Sequence, residues 1–311
     1  MFLEICTIQQ NQNNESSVIA LGNFDGVHLG HQELFKCGRS KAKELHCNFA
    51  VLLFDPHPFK ILHPQRKLNL LTDQNERLEQ FERNGVEKVF LWPFSLEFAN
   101  TSPREFVKDI LLRIGAVHVV IGFNYSFGAK GKGTPQDLEV FGQEYGFGVS
   151  ILEAAKLNDR IISSSEIRRS LVNGDFSAAK AMMGHAPRLS GIVVHGDKRG
   201  RQLGYPTANL QTKEDLLIPK NGVYAVNSKI DGREYGGMMN IGIRPTFSSQ
   251  QEQTVEIYFF DFDGDLYGKE LTITIQARLR SEKKFEGKDE IILQLDKDRQ
   301  EAIKALASLY K

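Results

Sequence analysis

The sequence predicts an α/β chain in two parts: a doubly wound parallel sheet first, then a small antiparallel β-barrel with a terminal helix. Three observations carry that expectation. Up to about residue 185, short apolar runs alternate with stretches of helical periodicity, the pattern of a parallel sheet covered by helices on both faces. From about residue 189, β-rich runs follow one another with turn signals between them. Residues 288–310 then return to helical spacing through Ile291, Ile292, Leu295, Ile303, Leu306 and Leu309, which would cover one side of the barrel.

In the first part, residues 18–23 (VIALGN) read as a buried strand and 32–45 as a helix, followed by a strand at 49–54 (FAVLLF). A helix at 72–84 and a strand at 88–92 come next. Residues 103–114 read as a helix with Pro103 in its first turn, where the missing N–H is harmless. Strand 118–122 (HVVIG), helix 137–145 and strand 149–153 complete the pattern. Ligands of such sheets bind outside the carboxyl ends of the strands. In the second part, strands are expected at 191–195, 222–230, 234–241, 254–262 and 270–279, with turns at Asp231-Gly232 and Asp263-Gly264. The Gly/Pro-containing link GHAPR at 184–188 sets the expected domains as 1–185 and 186–311.

The chain has 311 residues, which at about 100–200 residues per domain fits two domains. Lys plus Arg and Asp plus Glu are each 39, a net charge of zero. That balance argues against nucleic acid or an anionic membrane as partner and leaves room for a small basic nucleotide pocket. Cys6, Cys37 and Cys47 are odd in number and lack C-x-x-C spacing, so neither a disulfide framework nor a cysteine zinc site is expected, and a reducing cytoplasm is. No apolar run reaches the roughly 18–20 residues of a membrane helix. Residues 1–10 lack the basic and apolar regions of a signal peptide.

Residues 22–31 read GNFDGVHLGH, where a strand runs into a tight turn and a helix opens near Leu29. Gly26 and Gly30 remove bulk where a ligand would approach backbone. His28 and His31, three apart, share one face of the first helical turn. A helix start carries unpaired N–H groups and partial positive charge, which suits phosphate. Two imidazoles there would stabilise charge building on an α-phosphate during nucleotidyl transfer, a chemistry of positioning and electrostatics. An H-x-x-H pair alone also fits a metal site or ordinary helix surface, although no third soft ligand is evident and H-E-x-x-H is absent.

The complete string GNFDGVHLGH resembles the signature of the bacterial bifunctional riboflavin kinase/FMN adenylyltransferase (FAD synthetase) family, and the resemblance spans nearly the whole chain. It implies a nucleotidylyltransferase, Rossmann-like first domain in which Phe24, Gly26, His28 and His31 contact ATP. LFDPHP at 53–58 is similar to the second motif of the family; read by itself it is a strand broken by prolines into a turn, with Asp55 and His57 at the sheet edge. ISSSEIRR at 162–169 is similar to the third. Ser163 and Glu166 there fit a capping box, and the resemblance places Ser164, Ser165 and Arg168 on the ATP phosphates. Residues 122–134 (GFNYSFGAKGKGT) are glycine-rich but do not fit a Walker loop, because Gly133 follows Lys132. Where the family carries an Asp-Phe-Arg-Phe-Gly type string, this chain has Asn124-Tyr125-Ser126-Phe127-Gly128. Asn124 and Phe127 are the flavin-binding candidates, with core packing the alternative for the aromatic.

Residues 191–210 read GIVVHGDKRGRQLGYPTANL. A strand feeds a flexible, basic loop through Gly196, Lys198 and Gly200, suited to polyphosphate. Pro206-Thr207-Ala208-Asn209 follows, with a hydroxyl and an amide oxygen two apart on extended backbone, pointing the same way. Oxygen ligands suit Mg²⁺. The string resembles the PTAN motif of riboflavin kinases, which implies that Thr207 and Asn209 hold Mg-ATP; Tyr205 stands where that family usually has Phe. In VEIYF (255–259), Glu256 lies on the strand face opposite Val255, Ile257 and Phe259. By itself that is an edge charge or a general base; the resemblance implies the base acting on the ribityl hydroxyl. Residues 240–247 (NIGIRPTF) and 279–285 (LRSEKKF) are also similar, with Arg280 a flavin-site candidate in the kinase. Asp261-Phe-Asp263-Gly264-Asp265 resembles the start of a calcium loop, but its Gly is early and Thr272 stands where Glu is needed, so a hairpin turn is expected. The implied reactions are riboflavin to FMN and FMN to FAD, with ATP and Mg²⁺. The alternative is a monofunctional FMN adenylyltransferase with a regulatory, flavin-binding barrel.

Overall fold

The structure is a computed structural model that describes residues 3–7, 15–196, 200–244 and 252–307. In chain order its first elements are β1 (Glu4–Thr7), β2 (Ser17–Leu21), α1 (Leu29–Leu45), β3 (Asn48–Asp55), α2 (Pro58–Leu62), α3 (Gln74–Arg83) and β4 (Lys88–Pro93). Then come α4 (Pro103–Phe106), β5 (Ala116–Gly122), α5 (Pro135–Tyr145), β6 (Gly148–Leu152) and a small ladder of β7 (Lys156–Leu157) and β8 (Arg160–Ile161). The helix expected over 103–114 is α-helical only through Phe106; Val107–Leu111 is a π-helical turn that keeps Val107, Ile110 and Leu111 buried.

Strands β1 to β6 form one parallel sheet in the order β1-β4-β3-β2-β5-β6. All five residues of β2 are buried, the consequence of having helices on both sides. Alternate side chains feed two cores. Ile19, Leu21, Leu52, Phe90, Val119 and Ile121 pack with Phe106, Val107, Ile110 and Leu138. Val18, Ala20, Phe49, Val51, Leu53 and Val89 pack with Phe35 of α1 and Phe81 of α3. Strand order reverses between β2 and β5, so the loops leaving these two strands flank the topological switch point, the preferred ligand site of open α/β sheets.

The chain packs as two compact units, Met1–Leu68 with Gln74–Ser163, and Asn69–Asp73 with Ser164–Lys311. This division precedes the link at 184–188, because α6 (Ser164–Asn173) and α7 (Phe176–Met183) belong to the second unit. The apolar side of α7 explains its place there: the Phe176 ring meets Tyr224 edge-on at 5.9 Å, and Lys180 Nζ donates to the Gln276 carbonyl at 2.9 Å. The segment 69–73 docks through the Leu70 amide, which donates to the Asp215 carbonyl at 2.7 Å, and through Asp73, which accepts from Lys213 Nζ at 2.8 Å.

The rest of the second unit is β9 (Arg188–Val194), β10 (Ala208–Thr212), β11 (Gly222–Ile230), β12 (Arg233–Arg244), β13 (Glu252–Phe259), β14 (Glu270–Arg280) and α8 (Lys288–Leu306). These strands close an antiparallel barrel in the order β10-β13-β12-β11-β14-β9. Tyr224, Val226, Met239, Ile241, Ile257, Ile273 and Ile275 are buried. Ala302 and Leu306 of α8 cover Ala225, Met238 and Phe260 on the outer surface. Among the described residues no helix is long and apolar enough to cross a membrane.

Candidate active sites

The loop from β2 to α1 is held in a shape that few residues tolerate. Phe24, Gly26 and Val27 all have positive φ, at 50°, 81° and 36°. Three clamps maintain it: the Val27 amide donates to the Phe24 carbonyl at 3.2 Å, Gln32 Nε2 to the Val27 carbonyl at 2.9 Å, and Arg77 Nη1 from α3 to the Asn23 carbonyl at 3.2 Å. His28 is the N-cap of α1 rather than a residue of its first turn, and its Nδ1 accepts from the His31 amide at 3.3 Å. The rings of His28 and His31 stack, with centroids 3.6 Å apart and planes 16° apart.

Phe24 does not line this site with its ring. It is fully buried, edge-on beneath His31 at 5.2 Å and against Phe35 and Phe81, so it supports the imidazole and offers only backbone to a ligand. Burial, then the charges of His28 and Arg77, hold the His31 imidazole well below its ordinary range. At neutral pH the ring is therefore uncharged. Its Nδ1 is buried without a hydrogen-bond partner among the described residues, a group for a ligand or water to satisfy. Stacked on a helix cap, the two imidazoles can present hydrogen-bonding nitrogens to an anion while α1 contributes its N-terminal dipole.

The loop after β5 corrects one flavin candidate. Asn124 is exposed, just beyond the carboxyl end of β5. Phe127 is 5% exposed and packs on Phe106 at 5.3 Å, so its ring is core. Gly133 lies against that ring, and a Cβ at 133 would sit 2.7 Å from it. Phe123, 45% exposed, is the aromatic that this loop leaves outside. Asp55 ends β3, and His57 caps α2 by accepting from the Phe59 amide at 3.1 Å.

In the second unit, Ser164 and Ser165 are the first residues of α6, at the positive end of the helix dipole. Arg168 Nε donates to the Asn69 carbonyl at 2.9 Å, so the 69–73 segment fixes that side chain.

The barrel gathers the remaining residues. Asn209 lies opposite Glu256 in the β10–β13 ladder, and Asn240 lies opposite Glu256 in the β12–β13 ladder, making one polar row across three strands. Val255, Ile257 and Phe259 are buried, so Glu256 faces out as the alternation predicts. Thr207 Oγ1 donates to Glu256 Oε2 at 3.4 Å. The glycines are required by close approach: a Cβ at Gly196 would lie 2.2 Å from Asn209 Nδ2, and one at Gly200 would lie 2.2 Å from the Tyr205 carbonyl. Lys198 lies outside the described residues. Asn240 was missed by the sequence reading, although its place between the buried Met239 and Ile241 marks the outward face.

Arg280 is committed elsewhere than to an open site. Its Nε and Nη2 donate to the two oxygens of Asp298 at 2.8 and 2.6 Å, and Asp298 is wholly buried. This bidentate pair pins α8 to β14. Among the described residues no cluster of three His, Cys, Asp or Glu is placed to hold a metal ion.

Comparison with known proteins matches both parts of the chain. A family model described as FAD synthetase matches residues 10–166, and one described as riboflavin kinase matches residues 183–306. A bifunctional riboflavin kinase/FMN adenylyltransferase of Bacillus subtilis is 38% identical, over 96% of each chain. Its counterpart from Listeria monocytogenes is 40% identical over 94% of each. A crystal structure from Streptococcus pneumoniae, titled a macrolide-efflux protein, superposes with a TM-score of 0.86 at 32% identity, covering 95% of this chain and 97% of that one.

Proposed function

Because the chain belongs to the bifunctional riboflavin kinase/FMN adenylyltransferase family, we propose that it converts riboflavin to FMN and FMN to FAD, with ATP as donor in both steps. Residues 1–185 carry adenylyl transfer and residues 186–311 carry the kinase in this reading. The cytoplasm, where flavin and ATP meet, is the compartment that fits it.

In the kinase step Glu256 takes the proton of the terminal ribityl hydroxyl. That oxygen bonds to the γ-phosphorus as the bond from γ-phosphorus to the β,γ-bridging oxygen breaks, and ADP leaves. Thr207 and Asn209 orient the polyphosphate, with Gly196 and Gly200 giving it backbone access. Their hydroxyl and amide oxygens, beside the Glu256 carboxylate, are the hard donor set that Mg²⁺ prefers. Bound there with ATP, the ion would neutralise phosphate charge.

In the adenylyl step a phosphate oxygen of FMN bonds to the α-phosphorus of ATP while the bond to the β-phosphate oxygen breaks, releasing pyrophosphate. His28 and His31 hydrogen-bond the charge that grows on the α-phosphate and leaving oxygen. The N-terminus of α6, with Ser164, Ser165 and Arg168, fits phosphate binding. Asn124 and the exposed Phe123 suit the flavin.

The observation that favours two activities over a monofunctional adenylyltransferase is the cluster of Thr207, Asn209 and Glu256 in the barrel, since a merely regulatory barrel needs no carboxylate beside a phosphate loop. The test is incubation of the purified chain with riboflavin and Mg-ATP, then separation of FMN and FAD. Both products are expected. FAD formed only from supplied FMN would support the monofunctional alternative.

A further inference from the structure

Tyr205 immediately precedes the Pro206–Asn209 segment and is 9% exposed. Its hydroxyl donates to the Asp296 carboxylate on α8. Its amide donates to the Gly200 carbonyl at 2.9 Å, and its ring meets Tyr258 edge-on at 5.0 Å. Tyr258 is two residues along β13 from Glu256 and on the same face. One residue therefore touches the Gly200 loop through its amide, and the strand of the proposed base and the terminal helix through its side chain. That helix is itself fixed, two residues further on, by the Arg280–Asp298 pair.

A phenylalanine would fill the same apolar space between Tyr258 and α8. The hydroxyl adds one directional bond to a carboxylate, which packing does not need. Burial and the Asp296 hydrogen bond push the phenol up to about 12, so it stays a donor at any physiological pH. A donor fixed at the entrance to the Thr207–Asn209 segment restricts how far that segment can swing from the Gly200 loop.

Resting on the kinase reading above, we propose that Tyr205 is a positioning residue: its hydroxyl, held by Asp296, ties the segment bearing Thr207 and Asn209 to α8 and so sets the geometry in which the nucleotide is held. The bond acts on nucleotide binding rather than on the proton transfer at Glu256.

The experiment measures initial rates of FMN formation from riboflavin for the parent chain, Tyr205→Phe, Asp296→Ala and the double variant, varying Mg-ATP and riboflavin separately. Tyr205→Phe is expected to raise KM for Mg-ATP by about tenfold, the low end of what one hydrogen bond to a charged group is worth. KM for riboflavin and kcat should stay within about twofold of the parent's, a margin well inside the tenfold that 1.4 kcal/mol represents. Asp296→Ala should behave alike, and the double variant no worse than either. A structural role alone would lower the melting temperature without moving KM for ATP. Parental KM for ATP in folded Tyr205→Phe, or additive effects in the double variant, overturns the proposal. A parent chain that makes no FMN overturns the kinase reading itself, and this inference with it.

Discussion

The imidazole of His28 lies flat against that of His31, 3.6 Å between centroids, because His28 caps α1 and His31 stands one turn later. Neither ring forms a metal cluster with other described residues. His28→Ala or His31→Ala is expected to lower FAD formation from FMN by about 10²–10³-fold, the usual cost of one transition-state donor. Riboflavin phosphorylation by the same samples should be nearly unchanged. Parental adenylyl transfer in both variants would remove the pair from the mechanism.

The suppressed protonation of His31 also predicts a pH dependence of stability. An unfolded chain protonates this imidazole near its ordinary value of 6.5, while the folded chain does so well below it. Between those two values the unfolded state binds more protons, so the contribution of His31 is fully present above 6.5 and is lost as the pH falls. Melting temperature should drop less steeply from pH 6.5 to 5 in His31→Gln than in the parent. Parallel curves would show that the imidazole titrates as freely folded as unfolded.

Gly196→Ala tests the steric claim at the barrel. Its new methyl would stand 2.2 Å from the Asn209 amide, so Asn209 must turn away. The kinase reaction should then demand higher Mg-ATP, as it should in Asn209→Ala and Thr207→Ala, with adenylyl transfer unaffected. Kinase activity equal to the parent's at low Mg²⁺ in all three would contradict the roles given to these residues.

Arg280→Ala should act through folding. Among the described residues, removing it leaves the wholly buried Asp298 carboxylate with Gln294 as its remaining side-chain donor, at 2.9 Å. Breaking a buried pair of this kind costs about 3 kcal/mol. Denaturant unfolding of the parent and the variant measures it. A loss under about 0.5 kcal/mol, the range of ordinary surface substitutions, would mean that the pair does not hold α8.

Much of this was legible in the residues, for physical reasons that also mark where legibility stops. Buried strands such as Ser17–Leu21 announce themselves as apolar runs, and VEIYF as an alternation that puts Glu256 outside. β10 escaped because Ala208–Thr212 follows a proline and has one large apolar residue, Leu210, yet it carries Asn209. β1 escaped because Glu4–Thr7 is a four-residue edge strand. Phe127 stood between flavin contact and core because a loop aromatic has no periodicity to place it, and its ring lies in the core on Phe106. Arg280 was read toward the ligand because its partner, Asp298, lies 18 residues away on a different element, a tertiary relation that spacing does not reveal.

The central claim is that two independent chemistries reside in one chain, with Glu256 the base of one. Glu256→Gln keeps size and hydrogen-bonding shape but accepts no proton at neutral pH. The decisive measurement is FMN production from riboflavin beside FAD production from supplied FMN, on one folded sample of this variant. The expected result is a fall in FMN formation of about 10²–10⁴-fold with FAD formation kept. FMN formation near the parental rate would contradict the base role, and loss of both activities in a folded chain would contradict the independence of the two sites.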